Sequence, residues 1–173
     1  MSHLNGTLEE FKYYFQNTDL KDRKILDVGC RDHNAYSKLN ELGLIWTGID
    51  IKPTHPQGEI ITMDMVDLKF IDNSFDIIFI CHSLEHCENP IKALREFNRV
   101  LKEEGYLFIS LPCHCEHHIL KSDEDHIFCF TQLQIERLLF NCKYNNIKTL
   151  KSYKGYSEPD MYNLIAVAQK NKK

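Results

Sequence analysis

The chain has 173 residues, 43% of them hydrophobic and 27% charged, and a net charge of −4. This is ordinary globular composition in a length that suits one domain spanning 1–173, and the charge argues against general nucleic-acid binding, which needs clustered Lys and Arg. No apolar run reaches membrane-spanning length, the start is polar and predicts no signal peptide, and seven cysteines, an odd number, point to reduced thiols in a cytoplasmic protein rather than a disulfide framework.

In chain order, Thr7-Leu8-Glu9-Glu10 reads as a capping box opening a helix to about Gln16. A hydrophobic strand at 24–29 ends in Asp27 and Gly29, where a tight turn without Cβ lets a backbone approach a ligand. A helix is predicted over 34–43, with Tyr36, Leu39 and Leu42 on one face and Gly43 as its stop. Residues 44–51 form a second strand ending in Asp50, and 59–63 a short third strand ending in Asp64. Residues 75–81 (Phe-Asp-Ile-Ile-Phe-Ile-Cys) are nearly continuously apolar, as expected of a strand covered on both faces.

Asn89-Pro90 caps a helix over 91–102, with Ile91, Leu94, Phe97 and Leu101 facing the sheet. A fifth strand follows at 106–111, then a loop over 112–130 with the length of a lid or binding loop. Thr131 to Gln134 cap a helix to Cys142, with Ile135, Leu138, Leu139 and Cys142 in one stripe. Strands at 146–153 and 161–169 complete the chain.

Alternating strands and helices predict a three-layer α/β sandwich of a mostly parallel, seven-strand sheet. Only seven residues separate Tyr153 from Met161, too few for a parallel crossover of about a dozen or more. The last strands therefore form an antiparallel terminal hairpin, which is not the ordinary dinucleotide-binding arrangement.

Asp27, Asp50 and Asp64 fall at the carboxyl ends of successive strands, where open parallel sheets bind ligands. Asp50 lies about 20 residues beyond the Gly29 turn, the spacing at which a carboxylate accepts both hydroxyls of a ribose.

With these residues in place, the chain resembles the class I S-adenosylmethionine-dependent methyltransferases of the small-molecule type, which have a Rossmann-like fold. The resemblance is closest over about 23–111. Its most specific part runs from Phe75-Asp76 through His82-Ser83-Leu84-Glu85-His86, Asn89-Pro90, Ala93-Leu94-Arg95-Glu96 and Arg99-Val100-Leu101-Lys102 to Gly105 and Leu111-Pro112. The resemblance implies S-adenosylmethionine as cofactor. It gives the cofactor's methionine end to Asp27 and Gly29, the ribose to Asp50, and the adenine to Ile51, Asp64 and the Met65 backbone; Cys81 and His82 lie beside the reactive sulfonium.

The chain departs from the family at the first turn, where Arg31 and His33 replace two of three alternating glycines. Arg31 suits a bidentate contact with the cofactor's carboxylate. The same two residues also motivate an alternative, a non-catalytic methyltransferase-like domain acting as a binding or partner subunit. A nicotinamide-dependent oxidoreductase is disfavoured by the missing glycines and the terminal hairpin.

Two His/Cys clusters accompany the strand ends: Cys81-His82 with His86-Cys87, and Cys113-His114-Cys115-Glu116-His117-His118 with His126. Their spacing matches no regular zinc module, and the sequence predicts no metal site. An oxygen or nitrogen acceptor must lose a proton during methyl transfer, and His works near neutral pH. His82, His117, His118 and His126 are the candidate bases, whereas His86 is read as shaping the helix start. The expected substrate is a small polar molecule, recognised by the N-terminal helix and the 112–130 loop.

Overall fold

The computed structural model describes residues 3–32, 34–54, 60–114, 125–156 and 161–172. Seven strands form one sheet: β1 (Lys24–Val28), β2 (Ile45–Asp50), β3 (Ile60–Thr62), β4 (Phe75–Cys81), β5 (Leu101–His114), β6 (Tyr144–Ser152) and β7 (Met161–Lys170). Their spatial order is β3-β2-β1-β4-β5-β7-β6. Strands β1 to β5 pair in parallel, and β7 inserts antiparallel between β5 and β6. This is the predicted architecture of a mostly parallel, Rossmann-like sheet with an antiparallel terminal hairpin.

The apolar run of β4 shows why both faces must be covered. Ile78 and Ile80 point into one core with Leu94, Phe97 and Val100 of α3 (Pro90–Val100), and with Ile135 and Leu139 of α4 (Gln132–Asn141). Ile77 and Phe79 point into the other, against Phe11 of α1 (His3–Tyr14) and Leu39 of α2 (Tyr36–Asn40). All four β4 side chains are fully buried, so alternation gives two cores rather than one wet face.

The caps of the later helices form as read. Asn89 accepts from the Lys92 amide with Pro90 in the first turn, and Thr131 and Gln134 make a reciprocal capping box. The N-terminal capping box does not form. Helix α1 already begins at His3, which places Thr7 and Glu10 inside it as buried polar residues. The Thr7 hydroxyl pairs with the Ser110 hydroxyl at 2.9 Å, and Glu10 accepts from Ser152 at 2.8 Å. Their pattern reflects docking onto β5 and β6 rather than a helix start.

Three further expectations shift. Helix α2 has five residues rather than the ten of 34–43, and its end tightens, with Leu42 and Gly43 donating to carbonyls three residues back before Gly43 turns at φ +80°. Ile91 is 42% exposed, because the buried face of α3 runs through Ala93, Leu94, Phe97 and Val100. Leu101 is buried as the first residue of β5, which continues to His114 and takes the first three residues of the predicted long loop.

The 68–72 segment, between β3 and β4, is tied to α3 by Arg99. Its guanidinium donates to both oxygens of Glu96, to Asp72, and to the carbonyls of Leu68 and Phe70, all at 2.7–2.9 Å. Glu96 in turn accepts from the Leu68 amide, and hydrogen bonding to Arg99 holds its carboxyl below the usual range. A lysine keeps the charge but not the planar fork. Arg99→Lys is therefore expected to lower unfolding free energy by about 2 kcal/mol, measured by urea denaturation; an unchanged midpoint would refute the clamp.

Candidate functional site

A cleft of about 720 Å³ opens at the carboxyl ends of β1, β2, β3 and β4. This is the crevice position at which open α/β sheets bind ligands, and its volume lies in the usual range for small-molecule sites. Its floor is the turn after β1. Gly29 has φ +70°, and a Cβ built on it would stand 2.4 Å from Ser83 Cβ. Ser83, just past β4, donates its hydroxyl to the Val28 carbonyl at 2.9 Å. Two strand ends are thus drawn so close that no side chain fits at position 29.

Arg31 adopts φ +54°, the left-handed conformation that a glycine would take there without strain. Hydrogen bonds fix it. Its amide donates to Asp50 Oδ2 at 2.8 Å, and its carbonyl accepts from the amide and hydroxyl of Thr54 at 2.9 and 3.0 Å. Asp50 Oδ1 accepts from the Lys52 amide at 2.7 Å. Each carboxylate oxygen holds one backbone donor and keeps a second lone pair for a ligand hydroxyl. Asp64, which also lines the cleft, is oriented by the Val66 amide at 3.0 Å.

Seven of the nine sequence-predicted cofactor residues line this cleft: Gly29, Arg31, Asp50, Ile51, Asp64, Met65 and His82. Asp27 and Cys81 do not. Asp27 is only 3% exposed and accepts from Trp46 Nε1 at 3.1 Å. Burial pushes its carboxyl up to about 7, against the lowering influence of the Trp46 hydrogen bond. Cys81 donates to Thr7 Oγ1, and burial pushes its thiol up to about 12, so it stays protonated at neutral pH.

Of the four candidate bases, His82 reaches the cleft; His117 and His118 lie outside the described residues, as does His33 of the first turn. His82 has φ +52°, and its Nε2 lies 2.7 Å from Asn163 Oδ1, which also accepts from Tyr156 at 2.9 Å. An oxygen facing two donors puts the imidazole proton on Nε2 and makes Nδ1 the basic nitrogen. His3 stacks on the His82 ring, with centroids 5.4 Å apart. His126 instead packs against His86 and Glu85.

Ser83, Lys92 and His86 also line the cleft and were not read as site residues. Nothing in sequence spacing announces the Ser83 approach, while Lys92 and His86 sit in segments that read fully as a helix cap and helix start.

Residues 26–109 match the methyltransferase domain model. Over these residues, just under half of the chain, the protein is similar to the methyltransferase domain family. The family's cofactor is S-adenosylmethionine. Among curated proteins, the ubiquinone biosynthesis O-methyltransferase of Glaesserella parasuis is 31% identical over 105 residues, covering 51% of this chain and 44% of that protein. The chain thus spans less than half the length of this relative.

Among solved methyltransferase-fold structures, Haemonchus contortus phosphoethanolamine N-methyltransferase 2, in complex with S-adenosyl-L-methionine, superposes with a TM-score of 0.76 at 16% identity. The match covers 97% of this chain and 53% of that one. The [4+2]-cyclase SpnF superposes at 0.73 with 18% identity, over 96% and 81% of the two chains. The methyltransferase fold therefore carries more than one chemistry, and the site must decide. No helix among the described residues is long and apolar enough to cross a membrane.

Asp27 gives this site a pH signature. Its folded-state value near 7 stands above the unfolded value of about 3.9, so the folded protein binds a proton that the unfolded chain has lost. The associated stability is complete below about pH 4 and is lost as pH rises through about 7. Asp27→Asn is expected to flatten the fall in melting temperature between pH 4 and 7 and to melt above the wild type at pH 8. Parallel pH profiles for the two proteins would contradict the assignment.

Proposed function

We propose that the chain is an S-adenosylmethionine-dependent methyltransferase acting on a small polar acceptor in the cytoplasm. The observation that carries this reading is Asp50. Its carboxylate ends β2 on the cleft wall, held by the Arg31 and Lys52 amides with lone pairs left for two ribose hydroxyls. Ile51, exposed beside it, covers the adenine; Asp64 takes the adenine amino group and the Met65 backbone reads the ring. Gly29 serves the methionine end and Arg31 pairs with its carboxylate, while Asp27, buried behind the turn on Trp46, supports the floor from outside the cleft.

When bound, S-adenosylmethionine supplies an electrophilic methyl group on a sulfonium. The chain's own task is to align the acceptor and exclude water, since in-line displacement depends on both. His82 is the base that removes the acceptor's proton through Nδ1, and Asn163 positions it by holding Nε2. Cys81, protonated and turned to Thr7 rather than into the cleft, backs His82 from the strand side. His126 has the weaker claim as base because it does not line the cleft.

A second reading, a partner subunit that has given up catalysis, has one observation behind it: Arg31 occupies a left-handed position on the cleft wall. Calorimetry with S-adenosylhomocysteine separates the two. Under the methyltransferase reading the wild type binds, Asp50→Ala binds about tenfold or more weakly, and Arg31→Gly also weakens binding. No heat with wild type, or binding gained in Arg31→Gly, would overturn it.

A further inference from the structure

Beside the cleft, the turn that follows β4 meets the segment that leads into α4. Glu85 and His86 lie on the short 3-10 turn Leu84–His86. His126 lies on the 125–130 segment, which is anchored over that turn because the Ile127 and Phe128 amides both donate to the Glu85 carbonyl at 3.0 Å. The result is a cluster of one carboxylate and two imidazoles whose donor atoms all lie within 4.8 Å of one another.

We propose that Glu85, His86 and His126 form a binding site for a divalent transition metal of the zinc class, with one coordination position open towards the cleft. Three observations carry this assignment. First, the Glu85 side chain is 2% exposed, yet its Oε1 stands 4.0 Å from His86 Nε2 and 3.9 Å from His126 Nε2. Those separations exceed hydrogen-bond length. They approach the roughly 3.4 Å between ligand atoms that each stand about 2.0–2.1 Å from one tetrahedral ion.

Second, His86 Nδ1 lies 2.9 Å from the Asp125 carbonyl. A carbonyl only accepts, so Nδ1 carries the proton and Nε2 turns its lone pair towards Glu85. This backbone orientation of a ligating imidazole is a regular feature of metal sites. Third, the His86 and His126 rings meet edge to face, 4.7 Å between centroids, so both Nε2 atoms approach the same carboxylate oxygen without stacking.

Two neutral imidazoles and a carboxylate make the donor set of many zinc sites. A divalent charge there is a suitable counterpart for a buried carboxylate. Three protein ligands leave a fourth position, and His86 places it at the cleft wall. Water or an oxygen of the cleft's occupant completes the sphere. The ion also fastens the 125–130 segment to the rim. The sequence expectation of no metal covered both His/Cys clusters, including the segment of Glu85 and His86; this donor set takes His86 from the first cluster and His126 from the second and adds Glu85, a combination that spacing along the chain does not show.

The test uses chelator-treated protein titrated with Zn2+ by calorimetry and with Co2+ by visible d–d absorption, so it does not depend on any methyl acceptor or on cofactor binding. One equivalent is expected to bind, with a Co2+ band of low-coordination type. His126→Gln, at a half-buried position, and Glu85→Gln are each expected to weaken Zn2+ binding by about 100-fold or more. Zn2+ should raise the melting temperature of the wild type but not of His126→Gln. A His117→Ala/His118→Ala double variant should bind as the wild type does.

Absence of binding by wild type would overturn the proposal, as would undiminished binding by His126→Gln. Loss of binding in the double variant with retention in His126→Gln would transfer the site to the 113–118 run and equally refute it. Should Glu85→Gln fail to fold, His126→Gln carries the comparison, with circular dichroism confirming its native structure.

Discussion

The approach of Ser83 to Gly29 sets the floor on which the rest of the site is built. Strands β1 and β4 are hydrogen-bonded neighbours, and their ends converge until a Cβ at position 29 would overlap Ser83. The Ser83 hydroxyl closes the gap on the Val28 carbonyl and ties the two strand ends together. From that pinned point the chain turns under the cleft, reaches Arg31, and is caught by Asp50 of the next strand. Asp50 is thus oriented by the turn it helps to hold.

The first loop also shows that a glycine can be required for two separable reasons. At position 29 the requirement is steric, because the neighbour is a strand end that cannot yield. At position 31 it is only dihedral. A left-handed non-glycine residue costs about 1–2 kcal/mol, and hydrogen bonds from the Arg31 amide and to its carbonyl offset a cost of that size. A glycine-poor loop therefore keeps the turn of a glycine-rich one and gains a cation on the cleft wall. The buried Asp27 behind it works in the opposite sense: the fold tolerates a carboxyl that is destabilised by its own charge, a pattern typical of residues kept for function rather than stability.

Much of this architecture was legible because it follows from local rules. The unbroken apolar run of β4 announced two covered faces, and the short connection before β7 excluded a parallel crossover. Asp27 and Asp50 fall in the sheet as read, whereas Asp64 lies two residues past the end of β3, and only Asp50 and Asp64 line the cleft. What escaped was set by contacts distant in sequence. Thr7 and Glu10 fit a capping pattern, but their partners Ser110 and Ser152 are more than a hundred residues away. Glu85 and His126 are likewise brought together by the backbone bonds of Ile127 and Phe128, which no spacing reveals.

The position of β7 bears on how the molecule is made. Among the described residues, strand β6 borders no strand but β7, and β7 separates it from β5. During synthesis β6 therefore emerges with no edge to join, and the long β5 waits with one side unpaired until residues 161–170 follow. Lys170, near the end of that last strand, then donates its ammonium to the Leu101 carbonyl and to Asn73, reaching the start of β5 and the turn before β4. Closure of the sheet thus waits for residues 161–170. An unpaired β5 edge is a template for wrong partners, so the interval before β7 appears is when this chain is most exposed to misassociation.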